Sequence, residues 1–244
     1  GQHPLSIIGN PPIDPLGGCR GVHLVRHFLI AGASLLALLG CASSTTTTAP
    51  SAPVEQAQPA VPANPLLAEW TGPYGGVPPW DQVKPELFPE AFTFAIAEQT
   101  REIEAIVNNE SAPSFENTIV AMERAGDRLD RVGRIYGVMQ GNMNSPAYQA
   151  LDREWSPKLA AVDDEITFNQ KLFARVAAVY ATRTSSNLTP QQVRLVERVH
   201  DGFVRAGAKL DEQQKAEVAR LNQELATLFS DFRSKLLADE NTWT

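Results

Sequence analysis

The stretch Phe88-Pro89-Glu90-Ala91-Phe92-Thr93-Phe94-Ala95-Ile96, continued to Ile106, decides the fold class of this 244-residue chain. Its large apolar side chains recur at steps of three, four and seven residues, which places them on one helix face; they are Phe88, Phe92, Ile96, Ile103 and Ile106. Helical spacing continues from here to the end of the chain, and no window alternates apolar and polar residues as a strand does. We therefore predict an all-α fold.

Capping signals divide the helical pattern. Ser114 follows Pro113 and is placed to cap a helix that runs on through Tyr136. The pairs Ser145-Pro146 and Thr189-Pro190 each combine a capping residue with proline at the first helical position. These signals predict helix starts near residues 114, 145 and 189.

Proline and glycine predict where the later helices bend or end. Pro157 lies inside the helix that starts at Pro146 and is expected to kink or divide it. Gly207 is expected to end the next-to-last helix, and Asp211 with Gln214 forms a capping box for the last one.

Two stripes predict close helix packing. Gly133, Gly137 and Gly141 fall four residues apart and would let a neighbouring helix approach closely. The last helix carries an apolar seam that needs a partner helix; the seam consists of Val218, Leu221, Leu225, Leu228, Phe232 and Leu236.

An export signal precedes this helical region. Basic Arg20 and Arg26 come before the apolar run 28–39, and Leu38-Leu39-Gly40-Cys41 closes it. The run is too short for a permanent membrane span but has the parts of a signal peptide. Its last four residues resemble the lipobox of bacterial lipoproteins, which implies lipidation at Cys41. The alternative is an ordinary secretory signal with an incidental cysteine.

Composition divides the chain into three parts. Residues 1–40 hold upstream sequence and the signal peptide, and residues 41–63, rich in Thr, Pro, Ala and Ser, form a flexible tether. Residues 64–244 form the helical region, which opens with a Pro- and Gly-rich strap to Pro85 whose Trp70 and Trp80 should dock on the helices. We expect a protein exported to the bacterial cell envelope, anchored by lipid and facing the periplasm.

Charge and cysteine content exclude some classes. The chain is acidic, with a net charge of −7, and has no basic patch of the kind that binds nucleic acid. Cys19 and Cys41 lie in the leader and at the lipidation point, so no disulfide is expected in the helical region. We expect a monomer.

No catalytic or metal-binding residue can be assigned from the residues alone. The helical region has one histidine, His200, which we interpret as a packing or surface residue, and it lacks H-E-x-x-H and G-x-S-x-G. The acidic runs Asp163-Asp164-Glu165 and Asp239-Glu240 are interpreted as solvated faces, because adjacent helical residues point in different directions. Arg128 and Arg131, with Asp127 and Asp130, are interpreted as surface charge pairs.

Several stretches together resemble the N-terminal region of the peptidyl-dipeptidases in the thimet oligopeptidase family of zinc metallopeptidases. In chain order they are Asn64-Pro65-Leu66-Leu67, Val83-Lys84-Pro85-Glu86 with Phe88, Ala91 and Phe92, Ser114-Phe115-Glu116-Asn117-Thr118-Ile119, Pro157-Lys158-Leu159-Ala160, Lys171-Leu172-Phe173, Phe203-Val204-Arg205-Ala206-Gly207-Ala208 and Leu221-Asn222-Gln223-Glu224-Leu225. Each stretch is weak alone, but their order spans the helical region. Trp70-Thr71-Gly72-Pro73-Tyr74-Gly75-Gly76 departs from the family by its glycine content.

The resemblance implies a helical, clam-shaped enzyme with a deep channel for short peptides. Its zinc would be bound by H-E-x-x-H and a later glutamate, and no position of this sequence matches them. This chain would be the truncated N-terminal portion of a longer protein, and it would wall the channel. The alternative is a non-catalytic helical lipoprotein that binds peptides or protein partners.

Overall fold

The structure is a computed structural model that describes residues 59–73, 76–143 and 145–242. Its α-helices are α1 (Phe88–Val107), α2 (Ala121–Arg124), α3 (Asp127–Asn142), α4 (Pro146–Thr167), α5 (Gln170–Thr182), α6 (Pro190–Ala206) and α7 (Glu212–Thr242). A π-helical turn, Phe115–Val120, leads into α2, and short 3₁₀ turns lie at Pro65–Leu67, Trp80–Gln82 and Pro85–Leu87. Over these residues the only β pairing is the bridge between Thr71 and Val77. The all-α prediction is confirmed for the described part.

The largest core cluster joins the strap to α1, α3 and α4. Five aromatic rings form its centre, with Phe88 and Phe92 of α1 packed against Tyr136 at centroid distances of 5.3 and 5.4 Å. Trp155 packs on Phe92 at 5.1 Å, and Tyr148 lies edge-on to Phe88. The predicted apolar face of α1 is thus the face that is buried.

A second cluster joins the π-helical turn to α5 and α6 through Ile119, Val176, Val179 and Val196. A smaller one links α1 to α5, because Ile103 and Ile106 pack against Leu172. Helix α7 packs mainly along α4. In the ranges that the structure describes, none of the helices is both long enough and apolar enough to cross a bilayer.

The predicted caps are largely confirmed. Ser114 forms a capping box with Asn117, and Thr189 forms one with Gln192. Asp211 accepts a hydrogen bond from the Gln214 backbone N–H at 2.8 Å, which confirms the start of α7. Ser145 precedes Pro146 as expected, but its side chain makes no capping hydrogen bond.

One prediction about helix continuity is wrong, and of the two outcomes predicted at Pro157, a kink or a division, the division is excluded. The helix expected from Ser114 through Tyr136 is broken at Gly126, which has a φ of +83° and separates α2 from α3. Pro157 does not divide α4, which is continuous from Pro146 to Thr167.

No described neighbour approaches two of the three glycines of the stripe, Gly133 and Gly141. A Cβ atom added at Gly133 or Gly141 would meet nothing within 4 Å, so the close approach is wrong at these two positions for the described part of the chain.

Of the two strap tryptophans that were predicted to dock on the helices, one does so. Leu66 and Leu67 are fully buried, and Trp70 packs against the largest cluster. Trp80, in contrast, is 42% exposed, so the prediction that it docks is wrong. The predicted signal peptide and Cys41 lie outside the described residues, as does the tether up to residue 58.

Candidate functional site

A buried ion pair joins α4 to α7 at Asp152. This carboxylate is 2% exposed and accepts two hydrogen bonds from Arg233 Nη2, at 2.9 and 2.7 Å. Ser156 Oγ donates to it at 2.9 Å and Tyr136 OH at 3.4 Å. Burial raises the pKa of the Tyr136 phenol, and the neighbouring Asp152 carboxylate raises it further. Because its partners satisfy the buried charge, the cluster holds helices together and presents no free acid or base.

A second polar contact lies about three helical turns further along the same interface. Asp164, 8% exposed, accepts a hydrogen bond from Asn222 Nδ2 at 2.7 Å. Burial raises the pKa of Asp164, and burial together with the Asp164 charge raises the pKa of Asp163 to about 7. The prediction of a solvated face is therefore wrong for Asp164, which is buried, whereas Asp163 is half-buried and Glu165 is exposed. Asp239 and Glu240, in contrast, are exposed as predicted.

His200 lies inside an aromatic stack. Its ring lies 3.9 Å from the ring of Tyr180 at an interplanar angle of 14°, and Arg183 Cζ lies 3.8 Å from the Tyr180 centroid. Arg183 also pairs with Glu197 at 3.2 Å, which ties α5 to α6. The interpretation of His200 as a packing residue is confirmed.

An open cavity of about 400 Å³ lies in the strap. Among its described lining residues one is ionisable, Glu69. Asn64 also lines it, but the Asn64 side chain is engaged, since Nδ2 donates to Leu87 O at 2.9 Å and Oδ1 accepts from Leu66 N at 3.0 Å. The cavity therefore lacks the convergent polar groups of a catalytic site.

Two of the stretches that carry the family resemblance are held in place by arginine side chains. Arg128 donates to Leu67 O at 2.8 Å and pairs with Glu98 at 2.6 Å, which fastens the Asn64–Leu67 stretch to α1 and α3. Arg128 is thus a partly buried clamp, and its prediction as a surface pair with Asp127 or Asp130 is wrong. Asp130 does pair across one helical turn, with Arg134.

A second arginine clamp acts on the Ser114–Ile119 stretch. Arg175, 8% exposed, donates to Asn109 O at 2.8 Å and to Asn117 Oδ1 at 3.0 Å. Asn117 is also the capping partner of Ser114. Sequence reasoning missed both clamps because their partners lie 30 to 66 residues away in the chain.

The zinc that the resemblance implies finds no ligand set in this part of the protein. In residues 59–73, 76–143 and 145–242, no three His, Cys, Asp or Glu side chains lie together in a group that could hold a metal ion. The described residues define a helical scaffold with buried polar clamps.

Comparisons with known proteins show which proteins the chain is similar to. The chain is 42% identical over 175 residues to a dipeptidyl carboxypeptidase of Salmonella typhimurium and 41% identical to one of Escherichia coli. Oligopeptidase A of Salmonella typhimurium is 22% identical over 181 residues. The matches cover 72% of this chain for the two carboxypeptidases and 74% for the oligopeptidase. No protein-family model matches the chain.

The described helices are similar in sequence to one region of these relatives. Over the 175 matched residues the chain is related to the dipeptidyl carboxypeptidases, which confirms the resemblance seen in the sequence. The chain spans about a quarter of the length of these relatives, since the matched part covers 26% of each.

Proposed function

We propose that this chain is the N-terminal part of a zinc metallopeptidase of the peptidyl-dipeptidase or oligopeptidase type that hydrolyses short peptides outside the cytoplasm. The observation that carries the proposal is the 42% identity over 175 residues to a protein named dipeptidyl carboxypeptidase. At 26% of that relative's length, the match leaves room for a separate catalytic region.

In this proposal the described helices wall a substrate channel in a clam-shaped enzyme. The strap, held by hydrogen bonds from Asn64 and Arg128, and the buried polar contacts between α4 and α7 support such a role. Zinc would be bound by an H-E-x-x-H helix and a later glutamate in the remaining polypeptide, where it would polarise the peptide carbonyl and activate water.

The proposal also places the enzyme in the bacterial cell envelope. Its motivation is the apolar run that ends in Leu38-Leu39-Gly40-Cys41, followed by a polar tract up to residue 63 that would separate the anchored cysteine from the helices.

The experiment uses the protein expressed from the whole natural gene, after its reading frame beyond Thr244 has been sequenced. We expect the frame to encode H-E-x-x-H. We expect the product to release a C-terminal dipeptide from an N-terminally blocked tetrapeptide, to lose activity in a chelator and to regain it with Zn²⁺.

A matched substrate with an amidated C-terminus separates the two peptidase types. A peptidyl-dipeptidase should cleave it poorly, whereas an oligopeptidase should cut both peptides. A frame that stops after Thr244, with a folded product that binds peptides without cleaving them, would favour the alternative of a non-catalytic helical lipoprotein.

A further inference from the structure

Helix α7 turns its polar and small side chains toward α4. Lys215 Nζ donates to Phe168 O at 3.3 Å, Asn222 to Asp164 at 2.7 Å and Arg233 to Asp152 at 2.7 Å. Lys215 and Ser230 are 4% and 0% exposed. These residues, spread over more than four turns, fix the rotation of α7 about its own axis.

The side of α7 that lies roughly 100° around the helix from these residues is apolar and exposed. Leu228 is 56% exposed and Phe232 is 61% exposed, and the rest of the outward seam is similar: Leu221, Leu225, Phe229 and Leu236. The helix cannot turn this seam inward without breaking the three polar contacts to α4, because each would leave a buried charge or amide unpaired. The predicted seam therefore still needs a partner.

The spacing of the seam indicates what kind of partner fits. From Leu221 to Leu236 the seam residues follow one another at steps of four and three residues, with Phe229 beside Leu228. This is the pattern of a helix face that packs against a second amphipathic helix. Exposed flanking charges such as Arg220 and Glu224 already pair with each other, so the seam itself provides the contact.

We propose that the outward seam of α7 is the docking surface for an amphipathic helix of the same polypeptide, from the region that the relatives possess beyond the matched quarter of their length. This inference rests on the proposed function, in which the chain continues into a catalytic region. A covalently linked helix avoids the translational and rotational cost of a bimolecular association, so it can dock on a smaller surface than a separate partner needs.

A second copy of the chain fits this surface less well. A standard protein–protein interface uses about 800 Å² on each partner, and six half-exposed side chains on one helix offer less than that. Two copies would also have to pay the full cost of association.

The test is the thiol reactivity of single cysteines placed on α7 in the protein expressed from the whole natural gene. Leu228→Cys lies in the seam. Thr227→Cys is the matched control, because residue 227 is exposed and lies one residue, about 100°, around the helix. Modification by a water-soluble maleimide is read on the α7 peptide by mass spectrometry, so other cysteines do not interfere. Leu225→Cys is the second probe if Leu228→Cys does not fold.

We expect the seam cysteine to react at least about tenfold more slowly than Thr227→Cys, at a ratio independent of protein concentration. Equal rates would overturn the proposal. Protection that appears only at high concentration, together with a dimeric mass, would overturn it in favour of a second copy. Peptidase activity measured on the same preparation keeps the two proposals apart, since an active enzyme with a reactive Leu228→Cys would refute the docking surface alone.

Discussion

Asp163 is the residue whose environment makes the clearest solution prediction. Its ordinary pKa is 3.8, and burial beside Asp164 raises the pKa to about 7 in the folded protein. Between pH 4 and pH 7 the folded state therefore keeps a proton that the unfolded state has lost. Folding then binds protons, so the free energy of unfolding falls as the pH rises through this window, by up to about 1.4 kcal/mol per pH unit for one full proton.

Asp163→Asn should remove this dependence. We expect the variant to gain stability relative to the natural protein as the pH rises from 5 to 7, measured from urea unfolding midpoints at each pH. Glu165→Gln, at an exposed position of the same helix, is the control. Its free energy of unfolding should change with pH in the same way as that of the natural protein. Superimposable profiles for Asp163→Asn and the natural protein would contradict the prediction.

Single residues also show where reading the sequence reaches its limit. Ser114 and Thr189 could be assigned as caps because their partners lie three residues away. The burial of Asp164 could not be foreseen, because it depends on Asn222, 58 residues later. The arginine clamps fail for the same reason, since only the fold brings a guanidinium to a distant carbonyl oxygen.

At the scale of elements, apolar periodicity predicted the helices well and their breaks poorly. The pattern continues across Gly126, yet the chain turns there with a positive φ. The Gly126 N–H donates to Glu102 at 2.7 Å, so a contact with α1 fixes the break. Pro157 shows the converse, because α4 continues past a residue that usually interrupts a helix. At Gly126 a contact between helices accompanies the break, and periodicity alone does not show such a contact.

Gly126 and Gly133 make a matched pair of substitutions within this region. A Cβ at Gly126 would lie 2.3 Å from Gln99 Nε2 and would force a side chain into a left-handed backbone, whereas a Cβ at Gly133 meets open space in α3. We expect Gly126→Ala to lower the free energy of unfolding by about 1–2 kcal/mol, and Gly133→Ala to raise it by about 0.5–1 kcal/mol. Urea denaturation followed by circular dichroism measures both changes. A destabilising Gly133→Ala would instead indicate that a neighbouring helix approaches the glycine stripe.

At the scale of the whole molecule, α7 combines a correct and an incomplete prediction. The seam and the need for a partner were visible in its periodicity, but the side that α4 would cover was not. The residues that contact α4 are polar, and polar residues are read from sequence as the solvated face. The apolar periodicity of a helix therefore identifies an interface but does not show which element covers it.

The anchoring of the molecule yields the last prediction, and the two cysteines of the chain provide its internal control. If Leu38-Leu39-Gly40-Cys41 is a lipobox, the leader is removed and Cys41 carries the lipid, whereas Cys19 is lost with the leader. Labelled palmitate should then enter the natural protein and the Cys19→Ala variant, and it should be absent from Cys41→Ala. The Cys41→Ala variant should shift from the membrane to the soluble fraction of the envelope, because it has no lipid to hold the folded domain at the membrane. Palmitate retained by Cys41→Ala would refute the lipobox, and a natural protein that takes up no palmitate would indicate an ordinary secretory signal.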